Sequence, residues 1–325
     1  MTSDSIPYVV YGNDYSPYST KVLAYCRYKG LPHEWRTNLR DEEYRRAAVL
    51  PLVPLVVWPD GEAVQDSTPI IERLEREHPD PSICHPDPVA DFLSRLLEEF
   101  GDEWGNKWMF HYRWNSPDDR RYAALRAAGG DESRAGRVAD RMGSRLGVVG
   151  SNPATAPLIE VSFSNTLRLL ERHLEGRAYL LGDRPSLADF GLGHQLYQAS
   201  IDLTAGGVME ARAPRVRAWS RRMTTPDGLG DFEPLSSLLP TLGPLIREEV
   251  GGNFLPWSRG NALALADGSD GLSVELREGT WTQQPMKYHA KSLEALRRLW
   301  ADAGCRGELD PLLARLGCLE VLRGD

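Results

Sequence analysis

The sequence predicts an α/β domain, then an all-helical domain, then a small α+β extension. Three observations predict it. Over residues 8–78, short strand-like runs alternate with helical ones. A stretch dense in proline and aspartate, Pro79 to Pro88, separates that pattern from a series of amphipathic helices. From about Leu245 onward, helical and strand-like runs mix again. A chain of 325 residues exceeds one ordinary core, so the expected division is 1–80, 88–240 and 245–325.

The elements follow in order. Tyr8–Gly12 is strand-like, and a helix from about Pro17 to Tyr28 is ended by Gly30 and Pro32. His33–Thr37 alternates like a half-buried strand, and Asp41–Ala48 has helical composition. Leu55–Trp58 and Ala63–Gln65 flank Pro59-Asp60-Gly61, the signature of a hairpin. Ser67 is placed to cap a helix whose apolar residues Ile70, Ile71 and Leu74 recur at helical spacing. In the second part, Val89–Phe100, Leu158–Leu174, Leu187–Leu203 and Pro214–Met223 read as helices, with one more between Ala127 and Gly150. The extension reads as a helix over Phe254–Ala266, a strand over Leu272–Leu276 and a helix over Lys287–Ala303.

Composition narrows the function classes. A net charge of -8, with basic residues scattered among helices, argues against a nucleic-acid partner. The residues after Met1 are polar, without a basic-then-apolar leader. The most apolar run, Val49–Trp58, is short and broken by Pro51 and Pro54, so no membrane span is expected. The expected compartment is the cytosol. Cys26, Cys84, Cys305 and Cys318 form no C-x-x-C pair and no zinc spacing, so reduced thiols and no metal site are expected.

The most informative stretch is Asn13-Asp14-Tyr15-Ser16-Pro17-Tyr18-Ser19, between the first strand and the first helix. A loop feeding a helix N-terminus gathers free backbone N–H groups and the positive dipole end at one spot. An anion is stabilised there, a sulfur anion included. The chain itself offers only serine, so a thiolate must arrive with a ligand.

Three features converge on a family. Ser16-Pro17-Tyr18-Ser19 has the form of a C-P-Y-C redox loop with both cysteines replaced by serine. Val53-Pro54 precedes a core strand where thioredoxin-like domains carry a cis-proline, and Gln65-Asp66-Ser67 leads from the hairpin into the third helix. Over roughly residues 6–225 this order resembles the cytosolic glutathione S-transferases. Leu180–Phe190 resembles the capping segment buried in their helical domain, with Ser186 and Asp189 spaced as a capping box.

The resemblance implies a thioredoxin-like glutathione-binding domain followed by the helical domain, with glutathione as co-substrate. It implies that Ser16 donates to the glutathione sulfur, with Tyr15 and then Ser19 as rivals. It implies that Val53, beside Pro54, pairs its backbone with the cysteinyl unit. Asp66 and Ser67 match the α-amino acid head of the γ-glutamyl end, one accepting from the ammonium and the other donating to the carboxylate. One departure is Leu52, where many relatives carry a polar or basic residue for the glycyl carboxylate; Arg40 and Asn38 are the substitutes at hand.

For the second substrate, the aromatic stretch Trp104–Trp114 is the candidate wall, and Trp108, His111 and Tyr112 are its candidate pocket residues. The leading expectation is a serine-type glutathione transferase acting on a small hydrophobic electrophile, with a homodimer as the family's common assembly. A glutathione-dependent isomerase or dehalogenase shares the same site. A non-catalytic binding or scaffold protein is the reading from another class, and a thiol reductase is disfavoured because serine forms no mixed disulfide.

Overall fold

A computed structural model describes residues 6–324. The first domain runs β1 (Tyr8–Tyr11), α1 (Pro17–Tyr28), β2 (His33–Arg36), α2 (Glu42–Ala47), β3 (Leu55–Val57), β4 (Ala63–Gln65) and α3 (Ser67–Glu77). Aromatic and β-branched residues make β1 and β3 a buried pair, as sheet interiors favour. The sheet order is β2-β1-β3-β4, with β2 parallel to β1 and the remaining pairs antiparallel, a thioredoxin-like arrangement.

Register decides what this sheet presents. Tyr11 pairs with Arg36 and with Leu55, and Leu55 pairs with Gln65. The loop leaving β1, the loop entering β3 and the turn leaving β4 therefore emerge at the same end of the sheet.

The helical part opens on one long run. Asp87 caps α4 (Pro88–Phe100), which passes through a π-helical turn at Gly101–Gly105 into α5 (Asn106–Trp114). The turn lies where this run crosses helix Leu187–Ser200 backbone to backbone. A Cβ on Gly101 would stand 2.6 Å from the Leu192 nitrogen, so only glycine permits the approach. Helix Leu187–Ser200 is almost wholly buried and begins with the expected capping box of Ser186 and Asp189. Asp189 also accepts from the Leu180 amide at 2.8 Å and the Trp219 indole at 2.9 Å, tying the capping segment together.

Two boundaries differ from the sequence expectation. The helix expected over Leu187–Leu203 stops at Ser200, and Leu203–Arg212 forms a separate helix preceded by Asp202. The region 127–150 holds two helices, Glu132–Gly143 and Leu146–Val149, because Ser144 and Arg145 break the run.

The extension continues from helix Leu235–Leu245 through a π-helical segment, Ile246–Phe254, into helix Leu255–Ala266. Strands β5 (Leu272–Leu276) and β6 (Gly279–Gln283) form an antiparallel hairpin, and helices Lys287–Asp302, Arg306–Arg315 and Leu319–Arg323 follow. Its core is continuous with the rest: Val10, Leu96, Trp104, Trp257 and Trp281 belong to one buried cluster. No described helix is long and apolar enough to cross a membrane.

Candidate functional site

The shared sheet end gathers Ser16, Val53-Pro54 and Asp66-Ser67. At its first corner, Ser16 is the N-cap of α1 in an extended conformation, followed by Pro17. Its hydroxyl oxygen accepts from the Ser19 amide at 3.3 Å, which leaves its own proton free to donate outward. The N-terminal dipole of α1 stands directly behind it. The two rival hydroxyls are placed differently. Tyr15 donates to the Arg126 carbonyl at 3.0 Å, and its ring lies 5.2 Å beneath the Arg126 guanidinium. Ser19 is fully buried, and among the described residues its hydroxyl has no partner.

The loop is fixed by the helical domain through its backbone. Arg113, 3 % exposed, donates to the Tyr15 carbonyl at 3.0 Å, to Asp202 at 2.7 Å and to both oxygens of Gln198. Gln198 in turn donates to the Asp14 carbonyl at 2.8 Å. One buried guanidinium and one amide thus hold two successive carbonyls of the loop.

At the second corner the Val53-Pro54 bond is cis. The Asp66 amide donates to the Pro54 carbonyl at 3.1 Å, joining this corner to the third. Among the described residues, neither backbone group of Val53 has a hydrogen-bond partner. The Gln65 amide reaches under the preceding loop, donating at 2.7 Å to the carbonyls of Leu50 and Leu52. Leu52 itself points to solvent. Asn38 and Arg40 bond to each other locally and are not tied to Leu52.

The third corner is built on charge. Asp66, and not Ser67, is the N-cap of α3: its carboxylate accepts from the Ser67 amide at 2.7 Å. Among the described residues it is also the only non-glycine with positive φ, at 89°, a conformation that costs ~1–3 kcal/mol and collects at ligand sites. Ser67 is fully buried, its hydroxyl 3.4 Å from Asp102 and 3.5 Å from the Lys21 ammonium. Lys21 pairs with Asp102 at 2.7 Å and with Glu98, and Thr68 donates to Glu98 at 2.5 Å. Burial opposes the Lys21 charge, but Asp102 and Glu98 together hold its ammonium above the ordinary lysine range. Burial pushes the Asp102 carboxyl up against the pull of Lys21.

The candidate pocket residues lie elsewhere. Trp108 is 1 % exposed, donates to Ser162 at 3.0 Å and packs on Phe100 and Phe163. His111 bonds Ser151 at 2.8 Å and reaches Glu160 at 3.3 Å, and burial lowers its pKa. Tyr112 packs on Phe163. All three face helix Ala156–His173, and none makes a hydrogen bond or ring contact with the Ser16 loop. A groove of about 750 Å³ lies on the outer side of that same helix, lined by Glu160, Arg168 and Arg212 among others, apart from the sheet end.

Sequence reasoning did not single out Lys21, Asp102, Arg113, Gln198 or Tyr288 as site residues. Lys21 carries a readable signal, a cation directly before the apolar run Val22-Leu23-Ala24. Arg113 and Gln198 show none, since their partners are brought together by the packing of distant helices. Tyr288, from the extension, donates its hydroxyl to Asp66.

A glutathione S-transferase from Methylobacterium radiotolerans, solved in complex with glutathione sulfonate, is 24% identical, covers 71% of this chain and 98% of its own, and has a TM-score of 0.43. A beta-etherase from a Sphingobium strain is 22% identical over 67% of this chain and 95% of its own, with a TM-score of 0.44. FzlA from C. crescentus is 17% identical over 67% and 88%, with a TM-score of 0.47. No curated protein sequence matches significantly. Residues 10–82 match the family of the glutathione S-transferase N-terminal domain, and residues 152–222 match that of its C-terminal domain. Residues 10–82 thus carry a glutathione S-transferase N-terminal domain and residues 152–222 the C-terminal domain of that family, in the order in which the cytosolic glutathione S-transferase superfamily carries them.

Proposed function

We propose that the protein binds glutathione across the sheet end and uses Ser16 to activate its thiol for attack on a small electrophile. The observation that carries this reading is the unpaired backbone of Val53 beside the cis bond to Pro54, held between Ser16 and Asp66. An extended cysteinyl unit needs such a donor–acceptor pair, and its sulfur is then directed toward the N-terminus of α1.

The roles follow from chemistry. The Ser16 O–H donates to sulfur, and the α1 dipole favours the thiolate, lowering a thiol pKa from about 8.5 toward neutrality. Asp66 accepts from the γ-glutamyl ammonium, while the N-terminal turn of α3, opened by Ser67, faces the carboxylate. The thiolate attacks an electrophilic carbon and the leaving group departs, giving a thioether; no bound metal enters the step. Tyr15 is the weaker donor because its proton is committed to Arg126. A cytosolic homodimer is the accompanying proposal for place and assembly.

An isomerase or dehalogenase begins with the same addition and differs in expelling glutathione afterward. The test is turnover with a panel of activated electrophiles. Ser16→Ala lowers kcat at least tenfold, by the loss of about one charge-assisted hydrogen bond, and leaves glutathione affinity nearly unchanged. Intact turnover in both Ser16→Ala and Tyr15→Phe would show that neither hydroxyl activates the thiol.

A further inference from the structure

The extension reaches the amino-acid corner of the site. The first turns of helix Lys287–Asp302 reach three carboxylates outside the extension. Tyr288 donates to Asp66, His289 bonds Glu103 at 3.0 Å, and Ser292 donates to Glu99. Glu99 and Glu103 are one turn apart on the run from α4 into the π-helical turn. His289 is fully buried, and its other ring nitrogen lies 2.8 Å from Ser258, which anchors the helix start to the body of the extension.

We propose that Tyr288 is a specificity-determining residue of the amino-acid corner, an internal competitor whose hydroxyl stands where a ligand ammonium must donate to Asp66. The inference rests on the glutathione reading above and assigns the extension a role in it. Asp66 has two carboxylate oxygens. One takes the Ser67 amide and the other takes Tyr288, so both are engaged before a ligand arrives. An α-ammonium forms a charge-assisted bond with a carboxylate, stronger than that of a neutral phenol. It therefore displaces the Tyr288 hydroxyl at a cost in affinity, whereas a thiol compound without an α-amino group has no means to do so. Tyr288 is 48 % exposed, so its ring has room to swing aside without unpacking the core.

Competition makes a signed prediction. Removing the competing hydroxyl in Tyr288→Phe tightens glutathione binding about fivefold, the weight of one neutral hydrogen bond. Ser292→Ala, one turn away and not in contact with Asp66, tightens it less. A desamino analogue of glutathione, which makes no bond to Asp66, binds more weakly than glutathione to the wild type, and Tyr288→Phe widens that gap because only glutathione gains from the freed carboxylate oxygen. The experiment is calorimetric titration of the intact chain and the two variants with glutathione. Tighter binding in Tyr288→Phe supports the competitor role. Equal affinity in wild type and Tyr288→Phe overturns it while leaving the glutathione site standing. Weaker binding in Tyr288→Phe also overturns it, by making Tyr288 a supporting contact. Absence of binding in wild type and both variants at millimolar glutathione overturns the glutathione reading itself, and the competitor with it.

Discussion

The two outer corners of the site are held in opposite ways. At the Ser16 corner the helical domain grips the backbone: Arg113 and Gln198 hold the carbonyls of Tyr15 and Asp14, and the Ser16 proton stays free. At the Asp66 corner the side chains are themselves engaged, by Lys21 and Asp102 from below and Tyr288 from the extension. The contrast teaches a division of labour. A corner that must donate one hydrogen bond to a reacting sulfur gains from a rigid backbone and an uncommitted side chain. A corner that must recognise a zwitterion gains from prearranged charge, and prearranged charge needs internal partners while no ligand is bound.

The largest way to break this contrast is through Lys21. Lys21→Met leaves Asp102 and Glu98 facing each other in the core without their cation. The expected loss is about 3–5 kcal/mol of stability, read by denaturant unfolding. Arg113 is a more selective probe. Arg113→Lys retains the charge beside Asp202 but cannot span the Tyr15 carbonyl and Gln198 together, so kcat falls about tenfold with little change in glutathione KM. Equal losses in kcat and in affinity would show that the clamp is not confined to the Ser16 corner.

Much of this arrangement was legible in the sequence, and the rest was not for definable reasons. The order of strands, the Asp-Gly hairpin and the Ser186/Asp189 capping box all depend on neighbours within a few residues, and all three are found where expected. The two π-helical turns were not foreseen, because they answer to tertiary contact: Gly101 reads as an ordinary helix interruption until Leu192 is seen against it. Helix Leu235–Leu245 was hidden by Pro240 and Pro244, which lie inside it. Strand β6 was hidden by its short polar sequence, and only its pairing with β5 reveals it. In the aromatic stretch, helical spacing grouped Trp108 and His111 correctly but could not say toward which neighbour that face turns.

Acidification sharpens the comparison from the Ser16 side. His194 lies fully buried in helix Leu187–Ser200, which also carries Gln198, and burial lowers its pKa to about 3. An unfolded chain takes up that proton near pH 6.5, whereas the folded one does not until about pH 3. Protons therefore favour unfolding across that window, and the stability His194 contributes above it is lost as pH falls through it. His173, lowered by burial to about 4, acts in the same direction. Urea midpoints at neutral and mildly acid pH are expected to differ, and His194→Gln narrows the difference.

The smallest effect concerns the glycyl end. Leu52→Lys places a cation on an exposed loop residue beside the proposed cysteinyl site, and an exposed charge pair contributes roughly 0.2–1 kcal/mol. Glutathione affinity rises by no more than a few fold and the gain fades with added salt. An unchanged affinity at low salt would place the glycyl carboxylate away from Leu52.

The most direct test of the two-corner account is a glutathione titration of three chains: wild type, Asp66→Ala and Ser16→Ala. The account predicts that Asp66→Ala abolishes binding, while Ser16→Ala binds nearly as the wild type does and fails in turnover. Binding that survives Asp66→Ala unchanged, or that disappears in Ser16→Ala, would contradict the division between a recognising corner and a reacting one.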